Sequence, residues 1–186
     1  MLSPETKSGI AALVRSGFYD QAQLIYLLCE EMYAPGELDP AEVSSTVEAE
    51  FLSWKIEKAS YPDITDCDRL DLVFAAMKKH GLIALQNAGY TQSDGYDDFV
   101  DEYEDSPDKS DIIGYCFYHG QDLERAIHGG GLYFAFGPVD PNEEETKGAE
   151  IGHIVREELE RVGFEVDWDG TFSNRLHVPN LKWQRQ

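Results

Sequence analysis

The sequence predicts an α+β protein in two parts, a helical N-terminal segment over residues 1–62 and an α+β domain over residues 63–186. Through the first part, apolar side chains recur at helical spacing. After Gly81 the pattern changes to short apolar runs bounded by glycine and polar turns, which is typical of buried strands. Helical patterns separate these runs along the chain. We therefore expect a ferredoxin-like β-α-β-β-α-β core with an extra C-terminal strand.

Three helices are predicted in the N-terminal segment, because its apolar side chains form three stripes of helical period. Pro35 and Gly36 interrupt the chain between the second stripe and the third. Asp39 is expected to cap the third helix, with Pro40 in its first turn. The stripes contain Ile10, Leu13, Val14 and Phe18, then Leu24, Ile25, Leu28 and Met32, then Val43, Val47, Phe51 and Trp54.

A fourth helix, capped by Thr65 or Asp66 and stopped by Gly81, leads into the core. The next predicted elements are a strand at 82–85, a helix from Tyr96 to Tyr103 capped by Thr91 or Ser93, and a strand at 112–118. A short helix at 121–128 and a strand at 132–136 follow. A long helix after Asp140 and Pro141 leads to a strand at 164–168 and a last strand at 176–178.

A parallel α/β sheet, in which each helix is a crossover, is the alternative arrangement of these elements. A crossover needs roughly a dozen residues or more. The segment from His119 to Gly131 is at that lower limit. Its length therefore favours an elaborated hairpin and the ferredoxin-like core.

The composition is that of a folded protein without a membrane span. Hydrophobic residues make up 42% of the 186 positions and aromatic residues 12%, which is enough for a core. No apolar run reaches the roughly 18 residues of a transmembrane helix, and the first residues lack the pattern of a signal peptide. The three cysteines, Cys29, Cys67 and Cys116, are widely separated, which indicates reduced thiols. We therefore expect a cytoplasmic protein.

The net charge is strongly negative: 36 acidic residues stand against 15 basic ones, for a charge of −21. This charge repels phosphate backbones and anionic lipids, so we expect no direct nucleic-acid binding and no membrane binding. A basic protein partner is compatible with it. Solubility alone is the simpler explanation of the charge. The oligomeric state is left open.

One edge of the predicted sheet collects polar residues. The first and second strands of the core are expected to run parallel, so the loop after each lies at the same edge. These loops are Asn87–Gly95 and the segment that begins at His119. A local ion pair is expected between Asp122 and Arg125, which are three residues apart on a short helix. The candidate binding residues at this edge are Thr91, Ser93, Asp94, His119, Gln121, Asp122 and Arg125.

No complete catalytic or metal-binding pattern is present. The His128–Gly131 run resembles the oxyanion loop of lipases, but the chain has no Gly-x-Ser-x-Gly elbow. No two histidines have the spacing of a helical metal site, and no nucleotide or redox fingerprint occurs. Carboxylates crowd residues 94–111 without the spacing of a calcium loop, which indicates a solvated face or a docking surface. We expect no cofactor and no metal, and the catalytic residues, if any, are unknown.

Four blocks of the sequence resemble an uncharacterised bacterial family, a domain of unknown function. They are NAGYTQSDG from Asn87, GYCFYHGQDLERA from Gly114, GGGLYFAFG from Gly129 and WDGT from Trp168. The resemblance also includes the segment from Thr65 to Asp71, and it implies no activity. Relatives with cysteines in the loop that matches Gly89–Gly95 differ from this chain, which has none there; a metal or redox role for this loop is therefore disfavoured.

These observations favour a non-enzymatic protein-binding or regulatory module. The charge and the lack of a catalytic pattern both support this hypothesis. The alternative is a small enzyme or small-ligand binder that uses the edge site around Asp94, His119, Asp122 and Arg125. A pocket at that edge, with a histidine beside a carboxylate, would favour the alternative.

Overall fold

The computed structural model describes residues 1–186 and divides them into two compact units. The first unit contains residues 1–65 and the last three residues of the chain, and the second contains residues 66–183. None of the helices is both long and apolar enough to cross a membrane.

The first unit is helical, as predicted. It contains α1 (Pro4–Ser16), α2 (Gln21–Tyr26), which continues into a π-helical turn (Leu27–Met32), and α3 (Pro40–Lys58). Asp39 caps α3, since its carboxylate accepts a hydrogen bond from the Ala41 N–H at 3.0 Å. The buried core of the unit is formed by Leu2, Ile10, Val14, Leu24, Leu28, Cys29, Val43, Val47 and Trp54.

The second unit is a four-stranded mixed sheet with helices on both faces. Its helices are α4 (Asp66–Lys79), α5 (Gln92–Asp105), α6 (Gly120–Ile127) and α7 (Glu144–Arg161), and its strands are β1 (Leu82–Leu85), β2 (Gly114–Phe117), β3 (Leu132–Pro138) and β4 (Leu176–Val178). The strands lie in chain order, β1-β2-β3-β4. The β1–β2 pair is parallel, whereas β2–β3 and β3–β4 are antiparallel.

The α+β class is confirmed, but the ferredoxin-like topology is not. A split arrangement would place another strand between β1 and β2, whereas these two strands pair directly, with Leu85 opposite Phe117. The predicted strand at 164–168 is wrong. Only Asp167 pairs there, through two backbone hydrogen bonds with His177, because the Trp168 indole bonds to the Thr171 and Asn174 carbonyls and turns the chain away. The predicted extra C-terminal strand is therefore the fourth strand of the sheet.

The two faces of the sheet are covered differently. On one face, Phe74 of α4 packs on Phe134 of β3, and Gly152 of α7 lies against Phe136. On the other face, α5 covers β1 and β2, with the Phe99 ring 4.5 Å from the Tyr115 ring. Side chains alternate between faces along a strand, so Tyr133 and Ala135 of β3 share the α5 face. This face is where the candidate site lies.

Replacing Gly95 by alanine should destabilise the second unit, although alanine is the better helix former. A Cβ at Gly95 would lie 2.5 Å from a Phe117 ring carbon and 2.8 Å from the Ala88 carbonyl oxygen, so α5 would have to move off the sheet. We expect a loss of about 1–3 kcal/mol in the free energy of unfolding, measured by urea denaturation.

The matched control is Gly9→Ala in α1, where no atom lies within 4 Å of the added Cβ. There the helix propensity acts alone, and we expect a gain of about 0.5–1 kcal/mol. Equal effects of the two substitutions would contradict the close approach of α5 to the sheet.

Candidate functional site

The loops that follow β1 and β2 are joined by backbone hydrogen bonds. The Ala88 N–H donates to the Tyr118 carbonyl at 2.9 Å, and the Gly120 N–H donates to the Gly89 carbonyl at 3.0 Å. The Gln121 N–H donates to the Tyr90 carbonyl at 3.1 Å. These bonds hold the start of α6 beside the start of α5. The candidate residues of the two loops therefore lie at one edge of the sheet.

Thr91 and Asp94 form a capping box at the start of α5. The Asp94 N–H donates to the Thr91 hydroxyl at 3.3 Å, and the Asp94 carboxylate accepts from the Thr91 N–H at 2.9 Å. These bonds lower the pKa of Asp94 below its ordinary value of 3.8, and the neighbouring His119 contributes a smaller effect. Ser93 is exposed and makes no hydrogen bond. The predicted cap is therefore Thr91 rather than Ser93, and Asp94 completes the capping box with it.

His119 and Asp122 come together at the start of α6, and both are buried. His119 is 4% exposed and Asp122 is 0% exposed. The His119 Nε2 lies 3.0 Å from the Asp122 Oδ2. Arg175, from the turn before β4, donates through Nη1 to the same oxygen at 2.9 Å, and this Nη1 is 3.2 Å from the His119 Nε2. The three side chains form one cluster, called the Asp122 cluster below, in which His119 and Asp122 are buried and Arg175 is partly exposed.

Two atoms of the Asp122 cluster are buried without a hydrogen-bond partner, the His119 Nδ1 and the Asp122 Oδ1. The imidazole donates to Asp122 when its proton is on Nε2, and it accepts from Arg175 when that proton is on Nδ1. Neither tautomer provides a partner for Nδ1. A buried carboxylate is costly unless it is paired, so Arg175 is the group that makes the burial of Asp122 tolerable.

Arg125 does not join this cluster, and its predicted ion pair with Asp122 is wrong. Asp122 lies on the buried face of α6, and its side chain pairs with Arg175. Arg125 instead packs its guanidinium carbon 5.3 Å from the centre of the Tyr133 ring. The Gln121 side chain is exposed, and the contact of this residue with the other loop is made by its backbone N–H.

Tyr133 is the centre of a second, partly exposed group of side chains. His177, its cross-strand neighbour on β4, stacks on it with ring centres 4.0 Å apart and planes at 7°. The Arg175 guanidinium carbon lies 5.1 Å from the same ring centre. Arg175 therefore connects the buried Asp122 cluster to Tyr133.

A groove of about 520 Å³ opens over β3 beside these side chains. Its volume is within the roughly 300–1,000 Å³ of small-molecule sites. Its lining combines aromatic rings and an alanine with two amides, a hydroxyl and the Arg175 cation. The groove is lined by Gln92, Tyr115, Tyr133, Ala135, Phe136, Phe172, Ser173, Asn174 and Arg175.

Several groups of the site that could act as a base or a nucleophile are buried. The free Nδ1 of His119 is buried, so in this arrangement it has no access to a substrate. Burial raises the pKa of the Cys116 thiol and of the Tyr115 hydroxyl, which keeps both groups protonated. All three cysteines are buried, and none forms a disulfide. No three His, Cys, Asp or Glu side chains are placed to hold a metal ion.

Comparison with known proteins places the chain in a family. A family model matches residues 2–186. The chain belongs to this family, which is described as Domain of unknown function (DUF6891). The family resemblance stated from the sequence is therefore confirmed. No curated protein and no solved structure matches the chain. Membership in the family brings no activity with it.

Sequence analysis missed Arg175, Tyr133 and His177 as site residues. Tyr133 was placed on a strand, where an aromatic side chain normally packs. The one available signal was alternation: Arg175 and His177 are two residues apart at the last strand, so they share a sheet face. That signal does not say which face, and it does not name Asp122 as a partner.

Replacing Asp94 by asparagine should lower the melting temperature near neutral pH. The carboxylate is stabilised by the capping bonds, so its pKa in the folded protein is below the ordinary value of 3.8. Its contribution is therefore complete above that ordinary value and is lost as the pH falls through the lower folded value. We expect a clear difference from the wild type at about pH 6 and a much smaller one at about pH 3, by thermal denaturation.

Asp97→Asn is the control, since this exposed residue of the same helix makes no capping bond. A deficit of Asp94→Asn that stayed constant down to the lower pH would contradict the capping role.

Proposed function

We propose that this protein is a small-ligand-binding protein and that its binding site is the groove over β3. The observation that carries the proposal is the position of Arg175, which lines the groove while a fully buried carboxylate holds it from behind. Burying the Asp122 carboxylate on the inner face of α6 costs stability unless Arg175 stays beside it. A groove with one fixed cation and an aromatic floor is well suited to orient a ligand.

Non-enzymatic binding is favoured over catalysis. A general base must reach the proton that it removes, and the only unbonded nitrogen of His119 is buried. Binding needs only the exposed donors of the groove and its floor. The edge site inferred from the sequence contributes His119 and Asp122 to this proposal as supports of Arg175, while Thr91 and Asp94 act in the cap of α5.

The proposal is tested by filling the groove without altering the core. Ser173 lies exposed on the rim, so Ser173→Trp should block the groove and leave the fold intact. A fragment library is screened by thermal shift against the wild type, this variant and Ser110→Trp, which places the same ring at an exposed position that does not line the groove.

We expect fragments that stabilise the wild type and Ser110→Trp and that fail to stabilise Ser173→Trp. A ligand present at about 100 times its dissociation constant adds roughly 2.7 kcal/mol to the stability, which is readily detected. A set of ligands that binds all three proteins equally, or no ligand at all, would refute the proposal.

The second candidate function is binding of a basic protein, and the exposed surface of α5 is the observation that favours it. Among the carboxylates exposed on this helix, only Glu104 has an ion-pair partner, Lys109 at 2.9 Å. A second cavity, of about 320 Å³, lies beside the end of β1. Its acidic lining consists of Asp98, Asp101, Glu102 and Asp105. Such a surface attracts a basic partner at long range.

This second candidate predicts a salt-sensitive partner. A triple variant with asparagine at Asp97, Asp98 and Asp101 should lose a basic protein that the wild type captures from host lysate at low salt. The control carries glutamine at the exposed Glu145, Glu150 and Glu157 of α7, so it has the same net charge and should retain the partner. Capture that is equal for the two variants would exclude α5 as the docking surface.

A further inference from the structure

Arg175 is held by only one of its three guanidinium nitrogens. Its Nη1 donates to Asp122, while its Nε and Nη2 have no acceptor within the protein. The side chain is 29% exposed and lines the groove. A guanidinium presents its N–H donors as a rigid fork, whose free side matches the two oxygens of a carboxylate or phosphate. Arg175 is thus fixed in place with donors still available.

The charge balance of the site selects between these anions. Asp122 offsets the charge of Arg175, which makes no other ion pair, and the further partner of Asp122 is the His119 imidazole. The rest of the chain carries a large negative charge, −21 in total. Arg125, which lies over the Tyr133 ring, is the one surplus cation beside the groove, so a doubly charged phosphate would leave a negative charge that nothing there offsets. A single carboxylate needs only the two donors, so it fits the site better.

The floor of the groove selects the rest of the ligand. Tyr133 is held flat by the stacked His177, and Tyr115 and Ala135 continue the apolar surface along the α5 face. Burial raises the pKa of Tyr115, so its hydroxyl remains neutral and does not repel an acid. A flat apolar body would lie along this lining, beside the Tyr133 ring on which His177 and the two guanidinium groups already pack, while its acid group meets Arg175.

We propose that the groove binds a small monocarboxylic acid with a flat apolar body, that Arg175 recognises its carboxylate, and that Asp122 and His119 are positioning residues that hold Arg175. This inference rests on the proposed ligand-binding function and adds the class of ligand to it. The unpartnered Asp122 Oδ1 and His119 Nδ1 are explained as the cost of fixing Arg175 from the buried side.

The test uses three probes of one shape: benzoate, the neutral benzamide and the doubly charged phenyl phosphate. Each is titrated into the full chain, and binding is followed by the NMR shifts of the backbone amides of Gln92, Ser173 and Asn174. We expect saturable binding of benzoate, with benzamide and phenyl phosphate each at least about tenfold weaker, which corresponds to roughly 1.4 kcal/mol.

Arg175→Lys keeps the positive charge and removes the fork, so it should weaken benzoate at least about tenfold and leave benzamide unchanged. Arg156→Lys, on the exposed side of α7, is the matched control and should bind as the wild type does.

Asp122→Asn tests whether Asp122 positions Arg175. It should reduce the preference for benzoate over benzamide, whereas a merely structural defect would weaken both probes alike. If Asp122→Asn fails to fold, the Arg175→Lys result decides.

The outcomes separate the two proposals. Equal binding of benzoate and benzamide at these amides, unaffected by Arg175→Lys, would overturn the carboxylate inference and leave the groove as a ligand site. Tightest binding of phenyl phosphate would also overturn it. If neither these probes nor the fragment library shifted the amides of the groove, the ligand-binding function would fail together with the inference.

Discussion

The buried ion pair between Asp122 and Arg175 is the constraint on which the site depends. Asp122 is 0% exposed, and its Oδ2 is 2.9 Å from the Arg175 Nη1. Burying a carboxylate without a partner costs several kcal/mol, so the start of α6 and the turn before β4 are tied to each other. Tyr133 and His177 are cross-strand partners on β3 and β4, and this contact fixes Arg175 beside them. The pair contributes little to the stability of the fold as a whole, but it fixes the position of the Arg175 guanidinium.

The sheet topology brings the two ends of this pair together. Because β1 and β2 are parallel neighbours, α6 begins beside the loop that leads to α5. Because β4 pairs with β3, Arg175 just before β4 lies over Tyr133 on the same face, whereas Phe172 packs on Phe136 and α7. The groove lies where α5 stops covering the sheet and β3 is left partly open. The α5 face thus has two uses, packing over β1 and β2 and ligand contact over β3.

The local structure was predictable where one residue type determines it. The Asp39 cap and the strand at 82–85 follow from local rules, and the structure contains both. The pairing of strands was not predictable, because short apolar runs carry no information about their neighbours. The run at 164–168 is apolar enough for a strand, yet the Trp168 indole bonds to the next turn and limits pairing to Asp167.

The candidate site was partly predictable for the same reason. His119 and Asp122 were found because they follow a predicted strand at the edge where two parallel strands end. Arg125 was chosen as the partner because it is local, whereas the actual partner, Arg175, is 53 residues away and depends on the β3–β4 pairing. Sequence spacing identifies residues on one helix, but only the topology identifies what faces them.

The most direct measurement of the central contact is a double-mutant cycle on stability, with Asp122→Ala, Arg175→Ala and the double variant unfolded in urea. Arg175→Ala leaves a buried carboxylate unpaired, whereas Asp122→Ala leaves a cation that already reaches solvent, so the arginine variant should be the less stable single mutant. We expect the double variant to be more stable than the sum of the single effects implies, with a coupling of about 1–3 kcal/mol. Additive losses, within roughly 0.5 kcal/mol, would contradict the ion pair as the organising contact of the site.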